Sequence, residues 1–576
     1  MKILVPILAA LVLLGGCVSK HKKSRTEHNS FCNPLNLNYR FCLDDPSRRE
    51  AADPTVIQFK ETFYLFASKS GGYWYSDNLS NWTFVETNQI PVEDYAPTAV
   101  VIGDTVYFMA SSHSKNSIYK SGNPKSGQWQ IAVDSIETPV WDPAFFMDTD
   151  NRLYLYWGCS NNKPLYGVEL DAKNNFAFLG AAKELIYPNT AENGWEVPGD
   201  YNTLKNNAPW LEGQWMTKHN NTYYLQYSGP GTEFKSYSDA VYTSKNPLGP
   251  FTCAALNPFS YKPEGFAAGA GHGSTFTDSY GNYWHIATST ISVKQMFERR
   301  LVLFPVFFNT DGSMYAATQM GDYPMQIPDK KINSFDDIFQ NLMLLSYQKN
   351  VTVSSETDSF PAKNLTDEDI RTYWAAVNGD NTQFASIDLG LNYDVQALQI
   401  NFAEHLTKIR GRKPGTAHQY LIEYSNDNKI WKILVDSSQS TSDQPHQYLP
   451  LKEKVNCRYI RIKNIAVPDG NFAISDFRIF GKGNGTGPKQ PQNFNATRNL
   501  QDKRSVKLQW QAVPDATGYL ISYGINDNML YLNYMVYNNT SIEINSLNTN
   551  KTYYFKIRAF NENGFSDKSD KSIIAN

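Results

Sequence analysis

The stretch "EGQWMTKHNNTYYLQYS" (residues 212–228) contains two β-like runs separated by a turn at "HNN", and it begins with an acidic residue. Four other stretches repeat this plan, in which an opening motif leads into a strand, a turn, and a second strand that ends in a small residue. They are "DPTVIQFKETFYLFAS" (53–68), "APTAVVIGDTVYFMAS" (96–111), "DPAFFMDTDNRLYLYWG" (142–158) and "HGSTFTDSYGNYWHIAT" (272–288). Neighbouring repeats begin 43 to 70 residues apart, which is the scale of a four-stranded propeller blade. The sequence therefore predicts an all-β chain that begins with a five-bladed β-propeller.

The opening residues of the repeats carry the candidate chemistry. In a propeller the innermost strands surround one axis, so these residues are expected to face a common central pocket. They are Asp53, Ala96, Asp142, Glu212 and His272. A single Asp at such a position would be explained as a turn cap. Three carboxylates and a histidine at equivalent positions indicate a functional site instead.

Glycoside hydrolysis is commonly catalysed by two carboxyl groups that face each other across a pocket. One is protonated and donates to the leaving oxygen, and the other is ionised and activates water or attacks. A third carboxylate nearby raises the pKa of the acid. In "WLEGQW" Glu212 lies between Trp210 and Trp215, and apolar walls also disfavour ionisation, so we expect Glu212 to be the acid.

Four motifs resemble the blade signatures of glycoside hydrolase family 43, whose members are five-bladed propellers that act with inversion. The motifs are "AADPTVIQFKETFYLFAS", "WDPAFFMDTDNRLYLYWG", "LEGQW" with "YYLQYS", and "GAGHGSTFTDSYGNYWHIAT". The resemblance implies a catalytic propeller over residues 33–335, with Asp53 as general base and Glu212 as general acid. It implies that Asp142 orients the acid and tunes its pKa. The family's Glu-Gly-Pro is Glu-Gly-Gln here, a departure that affects substrate details rather than the acid.

The same resemblance suggests three further pocket residues. His272 is expected at the central channel, where it ligates a structural calcium ion or is linked to one by water, or else fixes the pocket floor by hydrogen bonds. Arg299, rather than Arg300, is expected to point inward and bind sugar hydroxyls or steady a carboxylate. Trp74 is a candidate wall for sugar stacking, with a core position as the alternative. No cofactor is required by this chemistry.

The amino terminus "MKILVPILAALVLLGGCVSK" resembles a bacterial lipoprotein signal. It predicts a signal peptide over residues 1–16, lipidation of Cys17 and a tether over 17–32; an ordinary signal peptide with a chance cysteine is the alternative. Val18 after the cysteine favours, in the lipoprotein pattern, anchoring to the outer membrane, with the face left open. A Cys32–Cys42 disulfide is one option in an exported protein. The other cysteines (159, 253 and 457) are expected to be buried.

The C-terminal half predicts two further β-sandwich domains. Residues 341–482 resemble a discoidin-like (coagulation factor C-type) jelly roll with Trp374 in its core; sugar binding and a scaffold role both remain open. "GKGNGTGPKQP" indicates a linker over 483–490. Residues 491–576 resemble a fibronectin type III domain, with Trp510 in the core and Tyr553 or Tyr554 near the strand corner.

The net charge of -3 gives no basic field for nucleic acid. No nucleophile elbow, phosphate loop or paired-histidine zinc helix occurs in the sequence. The sequence thus predicts an exo-acting inverting glycosidase of plant-type polysaccharide side chains, with α-L-arabinofuranosidase as the leading expectation. β-D-Xylosidase and exo-β-galactanase are the alternatives within the family. A lipoprotein that binds glycans without cleaving them is the alternative from another class, and the oligomeric state is left open.

Overall fold

The computed structural model describes residues 29–112 and 114–569, together with the backbone of 573–575. The predicted signal peptide, Cys17 and residues 18–28 of the tether lie outside the described residues. The described part is built of strands and contains four short 3-10 helices, Pro124–Ser126, Gly194–Glu196, Phe335–Asp337 and Ala362–Leu365. No helix within these ranges is long and apolar enough to cross a membrane.

The chain enters the fold earlier than the sequence predicts. Three short strands come first: β1 (Ser30–Phe31), β2 (Arg40–Phe41) and β3 (Arg49–Glu50). Strand β1 pairs with Met325–Gln326, and Phe31 and Cys32 are buried. The predicted end of the tether at residue 32 was therefore wrong. The apolar side chain of Phe31 already packs edge-on against Trp284 in the propeller core.

Five antiparallel sheets follow, each formed by one sequence repeat and the strands after it. Blade 1 is β4 (Ala52–Phe59), β5 (Thr62–Ser68), β6 (Gly72–Ser76) and β7 (Thr83–Glu86). Blade 2 is β8 (Thr98–Ile102), β9 (Thr105–Met109), β10 (Ile118–Ser121) and β11 (Gln130–Val133). Blade 3 is β12 (Ala144–Met147), β13 (Leu153–Trp157), β14 (Leu165–Asp171), β15 (Ala177–Phe178) and β16 (Lys183–Ile186).

Blade 4 is β17 (Glu212–His219), β18 (Thr222–Gly229), β19 (Ser238–Ser244) and β20 (Thr252–Cys253). Blade 5 is β21 (Gly271–Thr277), β22 (Tyr283–Thr290), β23 (Arg299–Phe308) and β24 (Met314–Ala316). The first strands of the blades, β4, β8, β12, β17 and β21, contact one another in that order, and β21 contacts β4. The predicted five-bladed propeller is confirmed.

The small residue that ends a repeat holds the opening residue of the next one. The hydroxyl oxygen accepts a hydrogen bond from the backbone N–H of that opening residue in four places: Ser68 with Ala96, Ser111 with Asp142, Ser228 with His272, and Thr288 with Asp53. These opening residues have left-handed backbones, with φ between 43° and 53°. Such a conformation is strained for residues other than glycine, so these hydroxyl contacts stabilise it. The contact of Thr288 with Asp53 joins the last blade to the first.

The fourth repeat departs from this pattern by one residue. There the left-handed position is Gly213, with φ of 65°, and Glu212 comes just before it. The strand register agrees, because Glu212 pairs with Ser228 as Ala52 pairs with Ser68. The predicted equivalence of Glu212 with Asp53 was therefore wrong by one position, although both side chains reach the same cavity.

A jelly-roll domain follows β25 (Met325–Gln326), and its strands form one eight-stranded sheet. The strands are β26 (Met343–Leu344), β27 (Asn350–Val353), β28 (Trp374–Ala375), β29 (Phe384–Phe402), β30 (Gln419–Ser425), β31 (Lys432–Asp436), β32 (His446–Ala466) and β33 (Ala473–Lys482). Trp374 is fully buried in this domain's core, as predicted.

The last domain is a sandwich of two sheets. The first sheet is β34 (Asn495–Arg498), β35 (Val506–Gln509) and β38 (Ser541–Ile544), and the second is β36 (Gly518–Gly524), β37 (Leu532–Tyr537), β39 (Tyr553–Asn561), β40 (Gly564–Phe565) and β41 (Ile573–Ala575). Trp510 packs in its core, as predicted. The Tyr553 hydroxyl accepts a hydrogen bond from the backbone N–H of Asn548 (3.0 Å), so Tyr553 rather than Tyr554 is the corner residue.

The cysteines differ from the sequence-based expectation. Cys32 and Cys42 are both free thiols, so the disulfide that the sequence left open as an option is not formed. Cys32 Sγ lies 3.2 Å from the carbonyl oxygen of Asp322, and Cys42 Sγ lies 3.4 Å from a Glu50 carboxylate oxygen. Burial raises the pKa of both thiols to about 12. Of the other three cysteines, only residue 457 is fully buried.

Candidate active site

A cavity of about 790 Å³ lies where the blades' opening residues meet. It is lined by charged side chains from several blades, namely Asp53, Asp142, Glu212, His272 and Arg299. All five are at most 9% exposed. Buried charges are stable only when they are paired or hydrogen-bonded, so the partners of each group determine what the cavity can do.

Asp53 is held as a carboxylate. Its Oδ1 accepts a hydrogen bond from Arg299 Nη1 (3.0 Å) and lies 3.3 Å from His272 Nδ1, while Ser68 donates to its Oδ2 (2.5 Å). Burial raises the pKa of this carboxyl, but the positive charges of Arg299 and His272 and the Ser68 hydrogen bond outweigh that effect. The pKa of Asp53 is therefore below its ordinary value, and the group is suited to accept a proton.

The pKa of Glu212 is shifted in the opposite direction to that of Asp53. Burial and the charge of Asp142 raise its pKa to about 7, against a smaller lowering by His272. Its Oε1 accepts a hydrogen bond from the Tyr237 hydroxyl, and its Oε2 lies 3.6 Å from Cys159 Sγ. Glu212 is thus suited to donate a proton near neutral pH.

Asp142 lies beside Glu212 and interacts electrostatically with both of these carboxyl groups. Its backbone N–H donates to the Ser111 hydroxyl, and that hydroxyl lies 3.3 Å from its Oδ1. One oxygen of Asp142, one oxygen of Glu212 and Cys159 Sγ all lie within 4.8 Å of one another. Burial raises the pKa of Asp142, and the charge of Asp53 adds to this. The position of Asp142 lets its charge act directly on Glu212.

His272 faces the carboxylates with its Nδ1, at 3.3 Å from Asp53 and 3.9 Å from Asp142. Burial lowers the pKa of the imidazole, but the charges of Asp53, Asp142 and Glu212 raise it above its ordinary value overall. Among the described residues, one group of three acidic, cysteine or histidine side chains has ligand atoms within 4.8 Å of one another. It consists of Asp142, Cys159 and Glu212 and does not include His272. That group, two carboxylates and one thiol, differs from the oxygen-only ligand set that calcium prefers.

Of the two adjacent arginines, Arg299 is the one that lines the cavity. Its Nη2 pairs with Glu50 (2.8 Å) and its Nη1 pairs with Asp53, so it joins strand β3 to the cavity. Arg300 turns away, and its Nε lies 2.8 Å from His446 Nε2 in the jelly-roll domain. Arg299 therefore steadies a carboxylate, which is one of the two roles that the sequence predicts.

Trp74 does not lie in the cavity, so of the two positions that the sequence left open the structure shows the core position and not a sugar-stacking wall. Its side chain is fully buried in the propeller core and donates from Nε1 to Asn38 (2.6 Å). The exposed aromatic walls are instead Trp141 (38% exposed) and Trp210 (41% exposed). Each lies one or two residues before a cavity carboxylate, a spacing that could have revealed them in the sequence. Tyr95 also lines the cavity.

Three segments of the chain match the models of known protein families. Residues 47–314 match the family model for glycosyl hydrolases family 43, residues 350–476 that for the F5/8 type C domain, and residues 489–575 that for the fibronectin type III domain. A curated β-D-galactofuranosidase of Aspergillus niger is 27% identical over 131 residues, which are 21% of this chain and 38% of that protein. The match thus spans well under two thirds of that relative's own length.

Solved structures of glycoside hydrolases are also similar to this chain. One, described only as a glycoside hydrolase, is 18% identical and covers 77% of this chain and 100% of its own, with a TM-score of 0.46. An endo-1,4-β-xylanase of Bacteroides thetaiotaomicron is 21% identical and covers 49% of this chain and 96% of its own, with a TM-score of 0.40.

Proposed function

We propose that this chain, whose residues 47–314 match the family model for glycosyl hydrolases family 43, is an exo-acting inverting enzyme that removes terminal sugars from plant-type polysaccharide side chains. Its substrate class is carbohydrate. α-L-Arabinofuranoside is our first choice of sugar. β-D-Xyloside and β-D-galactoside remain alternatives.

The proposed reaction is a single displacement. Asp53 accepts a proton from water as the water oxygen bonds to the anomeric carbon. The bond from that carbon to the glycosidic oxygen breaks, and Glu212 gives its proton to the departing oxygen. Positive charge develops on the sugar ring between the two carboxyl groups, which in inverting enzymes stand about 6.5–9.5 Å apart. Asp142 acts on Glu212 by keeping it protonated.

One observation carries this proposal: the cavity contains two carboxyl groups whose pKa values are moved in opposite directions. The pKa of Asp53 is lowered by Arg299 and His272, and the pKa of Glu212 is raised to about 7 by burial and Asp142. In active sites, two neighbouring groups whose pKa values are shifted in opposite directions commonly act as the general base and the general acid.

The choice of sugar is supported by the aromatic walls of the cavity and by one relative. The exposed faces of Trp141 and Trp210 can stack against the apolar face of a sugar ring. The Aspergillus niger relative acts on a galactofuranoside, which has a five-membered ring as arabinofuranose does. A furanoside is therefore the first class of substrate to test.

The experiment is sugar release by residues 18–576 from aryl α-L-arabinofuranoside, β-D-xyloside and β-D-galactoside, with Glu212→Ala as the matched inactive control. We expect one glycoside to be hydrolysed by the wild type at least about a hundredfold faster than by Glu212→Ala. Equal, near-zero rates for both proteins across these and a broad oligosaccharide panel would favour the glycan-binding lipoprotein instead.

We also propose that Cys17 carries a lipid that anchors the protein to the outer membrane, facing either the periplasm or the cell surface. The test is fractionation of cells that express the full chain or Cys17→Ala. The wild type should be found with membranes and the variant should be released. A structural calcium ion at His272, ligated directly or through water, stays a separate proposal; the imidazole Nδ1 faces the carboxylates Asp53 and Asp142.

A further inference from the structure

Two loops form part of the cavity rim, and both are held by the jelly-roll domain. Rim loop A, residues 230–237, joins β18 to β19 and contributes Thr232 and Glu233 to the cavity lining. Rim loop B, residues 291–298, joins β22 to β23 and contributes Met296 and Phe297. Loops are the mobile parts of a β-propeller unless other groups hold them.

Rim loop A is held by Arg371 of the jelly-roll domain. Arg371 Nη2 donates to the carbonyl oxygen of Glu233 (3.2 Å), and its Nη1 pairs with Asp200 (2.8 Å). The other carboxylate oxygen of Asp200 accepts the backbone N–H of Lys235 (2.8 Å). In the same loop, the Thr232 hydroxyl oxygen accepts a hydrogen bond from Arg299 (3.2 Å), so the loop also touches the arginine that holds Asp53.

Rim loop B is held by two backbone carbonyls that follow jelly-roll strand β29. Lys294 Nζ donates to the carbonyl oxygens of Ala403 (3.0 Å) and Glu404 (3.2 Å). Three residues later, the ring of Phe297 packs on Tyr95 and lies 5.0 Å from the Arg299 guanidinium carbon. The jelly-roll domain thus fixes the loop that brings this ring to the cavity.

The same jelly-roll segment reaches the support of Asp53 by a second route. The Glu404 carboxylate pairs with Arg49 Nε (2.6 Å), and both side chains are at most 5% exposed. Arg49 precedes Glu50, whose carboxylate holds Arg299. Buried, charge-assisted hydrogen bonds are strong when their geometry is good. One short segment of the second domain therefore contacts both a rim loop and the support of the cavity.

We propose that the jelly-roll domain is a working part of the catalytic cavity, and that Arg371 and Lys294 are positioning residues through which it sets the shape of the substrate-binding rim. This inference rests on the proposed glycosidase function. It differs from the role of an independent carbohydrate-binding module, because the jelly-roll domain contacts the rim loops of the catalytic cavity directly. Small displacements of substrate-positioning groups lower turnover or binding strongly.

The test uses Arg371→Ala and Lys294→Ala in the protein lacking only residues 1–17. Arg458→Ala is the matched control, since Arg458 pairs with Asp388 within the jelly-roll domain. Backbone hydrogen exchange of both rim loops is measured with kinetics on the preferred glycoside. We expect at least about fivefold faster exchange in rim loop A for Arg371→Ala and in rim loop B for Lys294→Ala. We also expect about a tenfold rise in KM with a smaller change in kcat and an unchanged pH profile.

Exchange and KM equal to those of Arg458→Ala in both variants would overturn the proposal. Equal acceleration of exchange throughout the chain would also overturn it, because that result indicates general destabilisation. If the wild type hydrolyses no glycoside, the proposed function fails, but loop-specific exchange still decides whether the jelly-roll domain holds the rim. Arg371→Lys should recover part of the protection, since one hydrogen bond to Glu233 can re-form.

Discussion

Replacement of Asp142 by Asn should shift the alkaline limb of the pH–activity profile toward lower pH. One oxygen of Asp142 and one of Glu212 lie within 4.8 Å, and at that distance two unit charges repel by about 3.5 kcal/mol at an effective dielectric constant of about 20. This corresponds to about 2.5 pH units. The positive charge of His272 next to both groups offsets part of the repulsion, so we expect a shift of about 1 to 2 units.

The direction of the shift follows from the role of Glu212 as the acid. Its protonated form is required, and its raised pKa of about 7 keeps that form present up to near-neutral pH. Without the negative charge of Asp142 the pKa falls, and activity is lost at lower pH. The acid limb reports ionisation of Asp53, whose pKa is lowered mainly by Arg299. Because Asp53 and Asp142 repel each other, this limb should also move toward lower pH, but by less than the alkaline limb.

The assay is kcat/KM from pH 3 to 9 on a glycoside with a poor leaving group, because such substrates need the acid most. Asn keeps the shape of Asp142 and its contact with Ser111. Asp148→Asn is the control, since Asp148 is equally buried but pairs with Lys218 outside the cavity. An alkaline limb that does not move in Asp142→Asn, with uniform loss of activity at all pH values, would refute the electrostatic role and leave only a positioning role.

Three further predictions concern the other side chains. Trp74→Ala should lower the free energy of unfolding by about 3–5 kcal/mol because a fully buried indole is lost, whereas Trp141→Ala should raise KM with little change in stability; chemical denaturation and kinetics separate them. A reducing agent should leave the melting temperature unchanged, and alkylation under denaturing conditions should label Cys32 and Cys42 equally with and without prior reduction. Dialysis against EDTA should leave kcat/KM unchanged, because Arg299 and Ser68 hold Asp53 by hydrogen bonds. A loss of activity restored by calcium would contradict this and would support the structural calcium ion proposed at His272.

The propeller was predictable from the sequence because its signal is repeated five times. Each repeat ends in a small residue, and the structure explains why: in four places a Ser or Thr hydroxyl binds the N–H of the next opening residue. The alignment of Glu212 with the other opening residues was off by one, because Gly213 takes the left-handed position there. A pattern of residue types does not reveal which of two adjacent residues has positive φ.

The cavity carboxylates were predictable for the same reason, but their aromatic surroundings were not. Trp74 and Trp141 are both tryptophans next to strand signals, yet one is fully buried and the other is 38% exposed. Which of them faces the cavity depends on how blades pack, a property of distant contacts. The contacts that Arg371 and Lys294 make between domains could not be predicted from the sequence for the same reason. They join residues more than a hundred positions apart.

The most direct test of the central claim, that Asp53 and Glu212 act as base and acid on opposite sides of the sugar, is the configuration of the first-formed product. Proton NMR of wild-type hydrolysis, recorded before mutarotation, distinguishes the two anomers. We predict that the released sugar first appears with inverted configuration, and that Asp53→Ala abolishes its release. Release with retained configuration would contradict the account, because it requires a carboxylate that attacks the sugar instead of one that activates water.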